Sequence, residues 1–493
     1  MGDNGDSRAL WPSQRGLDNL RRGRQMDIGQ ALEGITAYDP VKAPHGIILS
    51  PSAADNELVP ELLEKYAQRF GRTYQLKDAL GYGSVAGPEA MLKAVSQFIN
   101  RKFKPVRPIE YRDILTTNGV TSLIDMVAYN ICDSGEGIML PTPTYSMYEH
   151  DLCARSGLKV IPVSVFPVED QFRSESCNKM IAAFSEAYDK AIESGIVVKA
   201  VLICNPNNPV GRFYSRKSLT EIARFCGKHR LHLISDEIFA MSGFESTDRN
   251  GANLDNFTSV LSIPEDKESG VFTENIHSLY GASKDFAMGG LRLGFLITRN
   301  KQLWQTCRRV ALFTWLTSFS TAFFTWFISK DKLVDEYLHI FQKRLKQAYL
   351  KTSEAMDKHG IPYLQANGGF FIFIDLSGWL QYFEGTDGPQ QDGKQSREEQ
   401  LCRYMIKKGV YAIMGELSMS TEPGRFRFVY TGRGNEAVIA VARIANALKE
   451  LHCSKRESGD TSTYNSELSK ADEISVGRPT SRFSRALQKF NCI

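Results

Sequence analysis

Lys284 stands in the string Tyr280-Gly281-Ala282-Ser283-Lys284-Asp285, and Arg292 follows eight positions later in a glycine-bearing loop that ends at Gly294. A primary amine among small residues can condense with an aldehyde when desolvation or nearby positive charge keeps part of it unprotonated. A forked guanidinium can hold a phosphate. The pair therefore suits imine chemistry on a phosphorylated aldehyde. A lysine alone reads as a surface cation; the spacing to Arg292 carries the argument. Two further strings lie upstream: Asn205-Pro206-Asn207-Asn208-Pro209-Val210-Gly211, and Ser235-Asp236-Glu237-Ile238.

Elements must bring these strings together. Residues 198–203 read as a strand ending at the Asn-Pro turn. Ser215 can cap a helix whose apolar stripe is Leu219, Ile222, Ala223 and Cys226, at i, i+3, i+4 and i+7. Residues 231–235 form the next strand, ending at Asp236, and 276–280 another, ending just before Lys284. A further junction, Gly119-Val120-Thr121, follows residues 111–117 and precedes a helix running through Leu123 and Val127. This rhythm predicts an α/β domain with a mostly parallel sheet. Open sheets of this kind place their ligand crevice at the carboxyl ends of the strands, where the reactive residues fall.

The 493-residue chain is long enough for a large core, and 42% hydrophobic and 24% charged residues are ordinary for a globular protein. A formal charge of +4 calls for neither nucleic acid nor a membrane surface. Nine scattered cysteines show no metal-ligand spacing and read as free thiols in a reducing compartment. No apolar stretch near the N-terminus reads as a secretory signal, so a cytoplasmic location is the expectation. The apolar run 310–328 has the length of a membrane span, but its four threonines and two serines favour a buried helix or dimer-face segment. Residues 1–25 read as a flexible arm, 453–493 as a disordered tail, and the polar run 384–399 as a surface insertion.

Taken together, the strings resemble class I/II pyridoxal-phosphate (PLP) dependent aminotransferases. They are most similar to the branch holding 1-aminocyclopropane-1-carboxylate (ACC) synthases and their fungal look-alikes. Roughly residues 40–450 take part. The branch shows in Ala54-Asp55-Asn56-Glu57-Leu58, in Pro141-Thr142-Pro143-Thr144-Tyr145, in Ser283-Lys284-Asp285 and in residues 422–427. The resemblance implies fold type I. A large PLP domain (71–330) with a mostly parallel central sheet joins a smaller α+β domain built from 26–70 and 331–452. It also implies a homodimer with the active site at the subunit interface.

Each residue then acquires a role. Lys284 binds the cofactor covalently and moves the substrate Cα proton. Asp236 pairs with the ring nitrogen and keeps it cationic, so that the ring can take up electrons. Asn208 donates to the phenolic oxygen, and Tyr145 stacks on the ring. Gly119, Val120 and Thr121 at a helix N-terminus, with Ser283 and Arg292, cradle the phosphate. Tyr82 resembles the tyrosine that reaches the partner subunit's phosphate. Arg427 clamps the substrate carboxylate; strand alternation puts Arg425 on the same face, so periodicity leaves both open and the resemblance favours Arg427. Asp55 falls among the substrate-binding residues.

Three positions depart from the family pattern. Phe239 replaces a tyrosine that donates to the phenolic oxygen, Gly281 replaces a phosphate-binding serine, and Asp55 replaces a glutamate. The resulting expectation is an aminotransferase acting on an amino acid or related amine. The alternatives are a carbon–sulfur β-lyase or ACC synthase-type eliminase, and a catalytically dead binding protein of the same fold.

Overall fold

The computed structural model describes residues 13–21, 32, 34–49, 57–388 and 395–457. Within them the strands are β1 (Ile48–Leu49), β2 (Ile114–Thr117), β3 (Gly137–Thr142), β4 (Lys159–Ser164), β5 (Val198–Cys204), β6 (His232–Asp236), β7 (Ile276–Gly281), β8 (Gly294–Thr298), β9 (Phe371–Asp375), β10 (Val410–Tyr411), β11 (Ile413–Met414) and β12 (Arg425–Val429). Seven make the central sheet, in the order β2-β8-β7-β6-β5-β3-β4. The pairs from β7 through β4 are parallel, and β8 runs antiparallel to both β7 and β2.

Alternation along β5 shows why the sheet is covered on both faces. Ala200, Leu202 and Cys204 enter one apolar layer, and Val201 and Ile203 enter the other. A strand buried on both sides must be apolar at nearly every position, and this one is. On one face lies the helix Arg216–His229. It starts where the Ser215 hydroxyl accepts the Ser218 N–H at 3.0 Å. Its buried Leu219, Ile222, Ala223 and Cys226 match the predicted stripe. The helix Val120–Ile131 covers the other face with Leu123, Met126 and Val127.

A second, antiparallel sheet has the order β11-β12-β9. It sets Arg427 opposite Phe373 on one side and Ile413 on the other. β1 pairs in parallel with β10, so an early segment joins a late one. Two hydrogen bonds tie this region to the segments that follow β3 and β4. Thr144 N–H donates to Ser418 O (2.8 Å), and Val168 N–H donates to the Glu422 carboxylate (3.1 Å).

Several expectations need correction. Residues 310–328 are not one buried helix: a helix ends at Val310, a 3-10 turn spans Ala311–Thr314, and a new helix, Ser318–Ile328, starts with Thr317 accepting the Ser320 N–H. Phe323, Phe324 and Phe327 are buried, while Leu312, Phe313 and Phe319 are exposed. The polar run 384–399 is not wholly a surface insertion. Ser396 caps the helix Arg397–Lys407, and Glu398 is buried, accepting N–H bonds from Glu416 (2.8 Å) and Gly424 (2.6 Å). Residues 389–394 lie outside the described residues.

Within the segment read as an arm, Gln14–Arg21 is helical. The last helix runs from Glu436 to Glu457, beyond the start assigned to the tail; the rest of that tail lies outside the described residues. Seven described cysteines are free and buried, but Cys453 is disulfide-bonded, against the expectation of free thiols throughout. Among the described residues no helix is long and apolar enough to cross a membrane.

Candidate active site

β3, β5, β6 and β7 run in parallel, so their carboxyl ends open on one side of the sheet. A cavity of about 370 Å³ lies there. Val120, Thr121, Tyr145, Asn208, Asp236, Ser283, Lys284, Arg292 and Arg427, all singled out from the sequence, line it. Cys204, Ser146, Met147, Ile413 and Phe239 complete much of the wall.

The rim near β2 is an anion cradle. Gly119 precedes the helix Val120–Ile131 with φ +115°, and no side chain caps that helix start. A Cβ on Gly119 would run into the Arg292 guanidinium, with Cζ only 2.9 Å away. Glycine is thus what lets the guanidinium lie against the uncapped N–H groups, and two sources of positive charge meet at one place. Arg292 itself takes a left-handed conformation, φ +54°, closing the 3-10 turn Gly289–Leu291. Its Nη1 donates to Gly289 O at 3.2 Å.

At the end of β6, Asp236 is buried. Its Oδ1 accepts the Ile238 N–H (3.1 Å), and its Oδ2 accepts the Tyr148 hydroxyl (2.8 Å). Burial pushes its carboxyl up to about 6, opposed by those two donors and by the Lys284 charge. A cationic partner in the cavity would favour the ionised form. Across the sheet plane its neighbour Glu237 is closed off, with donors from Ser235, Ser259, Ser278 and the Val260 N–H.

The two arginines that periodicity left open are now distinct. Arg425 is engaged by Glu422, with Nε at 2.9 Å, and by Asp375 at 3.3 Å. Arg427 lines the cavity, and its Nη1 donates to Asn208 Oδ1 at 2.9 Å. Burial pulls the Arg427 guanidinium down to about 10, opposed by Tyr145, Tyr411 and Cys204, so it stays cationic at neutral pH. Because Asn208 accepts through its oxygen, its amide N–H₂ is left for other acceptors. Lys284 lies on the cavity wall with its Nζ 5.8 Å from the Phe239 ring centroid. Phe239 packs edge-on against Phe370 and Phe371.

One nominated residue is not brought to the cavity, and another is not among the described residues. Tyr82 is 96% exposed, its ring 5.5 Å from that of Trp315. Asp55 lies outside the described residues. The departure at Gly281 has a steric basis: a Cβ there would meet Leu293 O at 2.6 Å and Val120 Cγ2 at 3.0 Å, so a serine does not fit. Sequence reasoning missed Tyr148. The available signal was its place three residues after Tyr145, at the start of the helix Tyr148–Cys153.

An α/β sheet whose strand ends present an amine, a buried carboxylate and an anion cradle around one cavity is the architecture of a fold type I enzyme. The chain belongs to the family "Aminotransferase class I and II", whose profile matches residues 45–444. Enzymes of this family depend on PLP, and so does this one. The chain is 29% identical over 427 residues to 1-aminocyclopropane-1-carboxylate synthase 7 of Arabidopsis thaliana, covering 83% of this chain and 88% of that protein. It is 32% identical over 299 residues to the probable aminotransferase aclI of Aspergillus oryzae, covering 61% and 69%. Among solved structures, aspartate aminotransferase from Thermotoga maritima superposes with a TM-score of 0.65 at 20% identity, covering 89% of this chain and all of that one.

The residues present fit the cofactor. A phosphate fits the Gly119–Arg292 cradle, a ring nitrogen finds a buried carboxylate, and an aldehyde finds an amine.

Proposed function

We propose that the protein is an aminotransferase that moves the amino group of an α-amino acid to a 2-oxo acid. The observation that carries this reading is the Arg427–Asn208 hydrogen bond at 2.9 Å, in the same cavity as Lys284. It joins a buried cation suited to an α-carboxylate to an amide suited to the cofactor's phenolic oxygen. A substrate carboxylate held there is fixed relative to the lysine amine.

Bound PLP supplies an aldehyde and an electron-accepting ring. The chain's own residues supply the rest. Lys284 would hold the cofactor covalently and, freed when the substrate amine takes its place, would move the proton between the substrate Cα and the cofactor. Asp236 keeps a positive charge on the ring nitrogen, in a site where burial strengthens the pairing. Val120, Thr121, Ser283 and Arg292, with the glycine conformation at 119, hold the phosphate. Tyr145 covers the ring; burial pushes its phenol up to about 12, so it stays neutral. Arg427 orients the substrate carboxylate by forked donors.

We assign Asp55 to the substrate side and Tyr82 to the phosphate site of a second copy in a homodimer. The exposure of Tyr82, two residues from exposed Leu80 and with its ring near that of Trp315, supports the latter role. We divide the chain into a large domain (71–330) and a small one (26–70 with 331–452), a reading supported by the seven-stranded sheet lying within the first and the three-stranded sheet within the second. A cytoplasmic location is supported by the seven described cysteines that form no disulfide, while the disulfide at Cys453 speaks against it.

An ACC synthase-type or β-lyase elimination is the second reading, supported by the likeness to ACC synthases at an identity comparable to that of the fungal aminotransferases. The holoenzyme should be incubated with candidate α-amino acids and S-conjugated cysteines, with and without a 2-oxo acid. A new amino acid formed only with the acceptor is expected. Pyruvate plus ammonia, or ACC, formed without an acceptor would replace transamination by elimination.

A further inference from the structure

Tyr148 is fully buried and does not line the cavity, yet its hydroxyl touches the carboxylate that does. Its ring meets Tyr145 edge to face, with centroids 5.3 Å apart at 88°, and its N–H donates to Tyr145 O at 3.0 Å. Two tyrosines three residues apart are thus divided in their placement. Tyr145 borders the cavity, and Tyr148 stands behind it against Asp236.

A buried phenol needs a partner, and most find a backbone carbonyl or water. This one meets Asp236 Oδ2 at 2.8 Å, within the range of a charge-assisted bond. The other oxygen, Oδ1, holds the Ile238 N–H. One donor on each oxygen fixes rotation of the carboxylate about its Cβ–Cγ bond. Both donors stabilise the anion against the burial that favours the neutral acid. A phenylalanine at 148 would fill the same volume and lose only the hydroxyl.

We propose that Tyr148 is a positioning residue of the active site: its hydroxyl fixes the plane and the charge of the Asp236 carboxylate, and it acts on the cofactor's ring nitrogen only through Asp236. The proposal rests on the role given to Asp236 above. A more basic carboxylate without this donor draws the shared proton away from the ring nitrogen, leaving a neutral acid beside a neutral ring.

The test uses the full-length protein as Tyr148→Phe, Asp236→Asn and the double variant. Each is stripped of PLP and reconstituted with PLP carrying ¹⁵N in the ring. The dissociation constant for PLP and the ring ¹⁵N chemical shift are measured. Tyr148→Phe is expected to weaken PLP binding by roughly 10- to 100-fold, the range for a hydrogen bond to a charged group. It should also move the ¹⁵N signal toward the unprotonated position. In the Asp236→Asn background the same change should add less than about twofold, since a residue that acts through another has nothing left to act on.

Equal loss in both backgrounds would mean that Tyr148 supports only the packing and would overturn the proposal. So would a Tyr148→Phe protein that matches wild type in both readouts while Asp236→Asn does not. If Asp236→Asn itself leaves both readouts unchanged, the fault lies with the role given to Asp236, and the proposal falls with it.

Discussion

The two ends of the central sheet treat buried polar groups in opposite ways. At the starts of β6 and β7, His232 and His277 are bonded to each other at 3.0 Å. His277 also meets Thr298 at the end of β8, at 2.8 Å. That cluster is closed on itself. At the carboxyl ends of the same strands, Asp236 and Lys284 face a cavity, and Arg427 reaches in from the second sheet. Burial costs each group the same kind of solvation at either end. The difference lies in whether protein donors and acceptors absorb the whole capacity of the group or leave part of it for a ligand. β12 repeats the contrast over two residues: Arg425 is engaged by two acids, and Arg427 is turned to the cavity.

The arginines give the largest test of the contrast. Arg427→Met should lower kcat/KM by about 100-fold or more, the loss of a charged contact worth about 3 kcal/mol or more, with little change in thermal stability. Arg425→Met should do the reverse. It leaves Glu422 and Asp375 without their cation and should cost about 3 kcal/mol of stability, while the folded fraction keeps its kcat/KM. Steady-state kinetics beside thermal melts decide this; equal losses of activity in the two variants would erase the distinction.

Asp236→Ala removes the open carboxylate. It should lower kcat by about 100-fold, comparable to losing one oxyanion donor at roughly 3 kcal/mol, and its melting temperature should stay close to wild type. Near-normal turnover would show that the ring nitrogen is held in another way.

The closed end should register in stability versus pH rather than in rate. Burial lowers the pKa of His277 well below its ordinary value of 6.5, with the nearby His232 adding to the effect. The unfolded chain therefore binds a proton below that value that the folded chain refuses, so stability falls as pH drops below about 6.5. His277→Gln removes one such group and should flatten the loss by up to about 1.4 kcal/mol per pH unit. Chemical denaturation between pH 5 and pH 7, taken roughly around the His range, measures it; parallel curves for both proteins would show that the pair is not kept neutral.

The smallest effect concerns Phe239. With no hydroxyl there, Asn208 is the donor left for the phenolic oxygen among those the family pattern supplies. Phe239→Tyr should therefore move the pH midpoint of the holoenzyme's visible absorption band downward, because a hydrogen bond shifts a pKa toward the form it stabilises. A spectral titration that stays in place or moves upward would mean that another group already fills that role.

How far the sequence reaches differs along the same line. The strands ending at Cys204, Asp236 and Gly281 were readable because apolar runs bounded by turn residues leave little choice. The Ser215 cap and its stripe were readable because periodicity sets a helix face. Nothing in periodicity separates Arg425 from Arg427, since side chains two apart on a strand share a face; only Glu422 and Asp375, brought near by folding, do so. The aromatic residues spread along 310–328 hid its turn, where Thr317 restarts the helix. Glu398 looked like part of a solvated run because its two backbone donors come from residues 18 and 26 positions away. Tyr148 is passed over in the sequence because a hydroxyl's partner is a matter of three dimensions. Tyr82 stands exposed, away from the cavity, and nothing in its own string shows that.

Lys284, just beyond the end of β7, is the amine assigned to hold the cofactor. Reducing the purified holoenzyme with borohydride fixes the pyridoxyl group to whichever amine holds it, and digestion with mass spectrometry locates the added mass. The label is expected on the peptide containing Lys284 and is expected to be absent from Lys284→Ala protein. A label on any other lysine would contradict it.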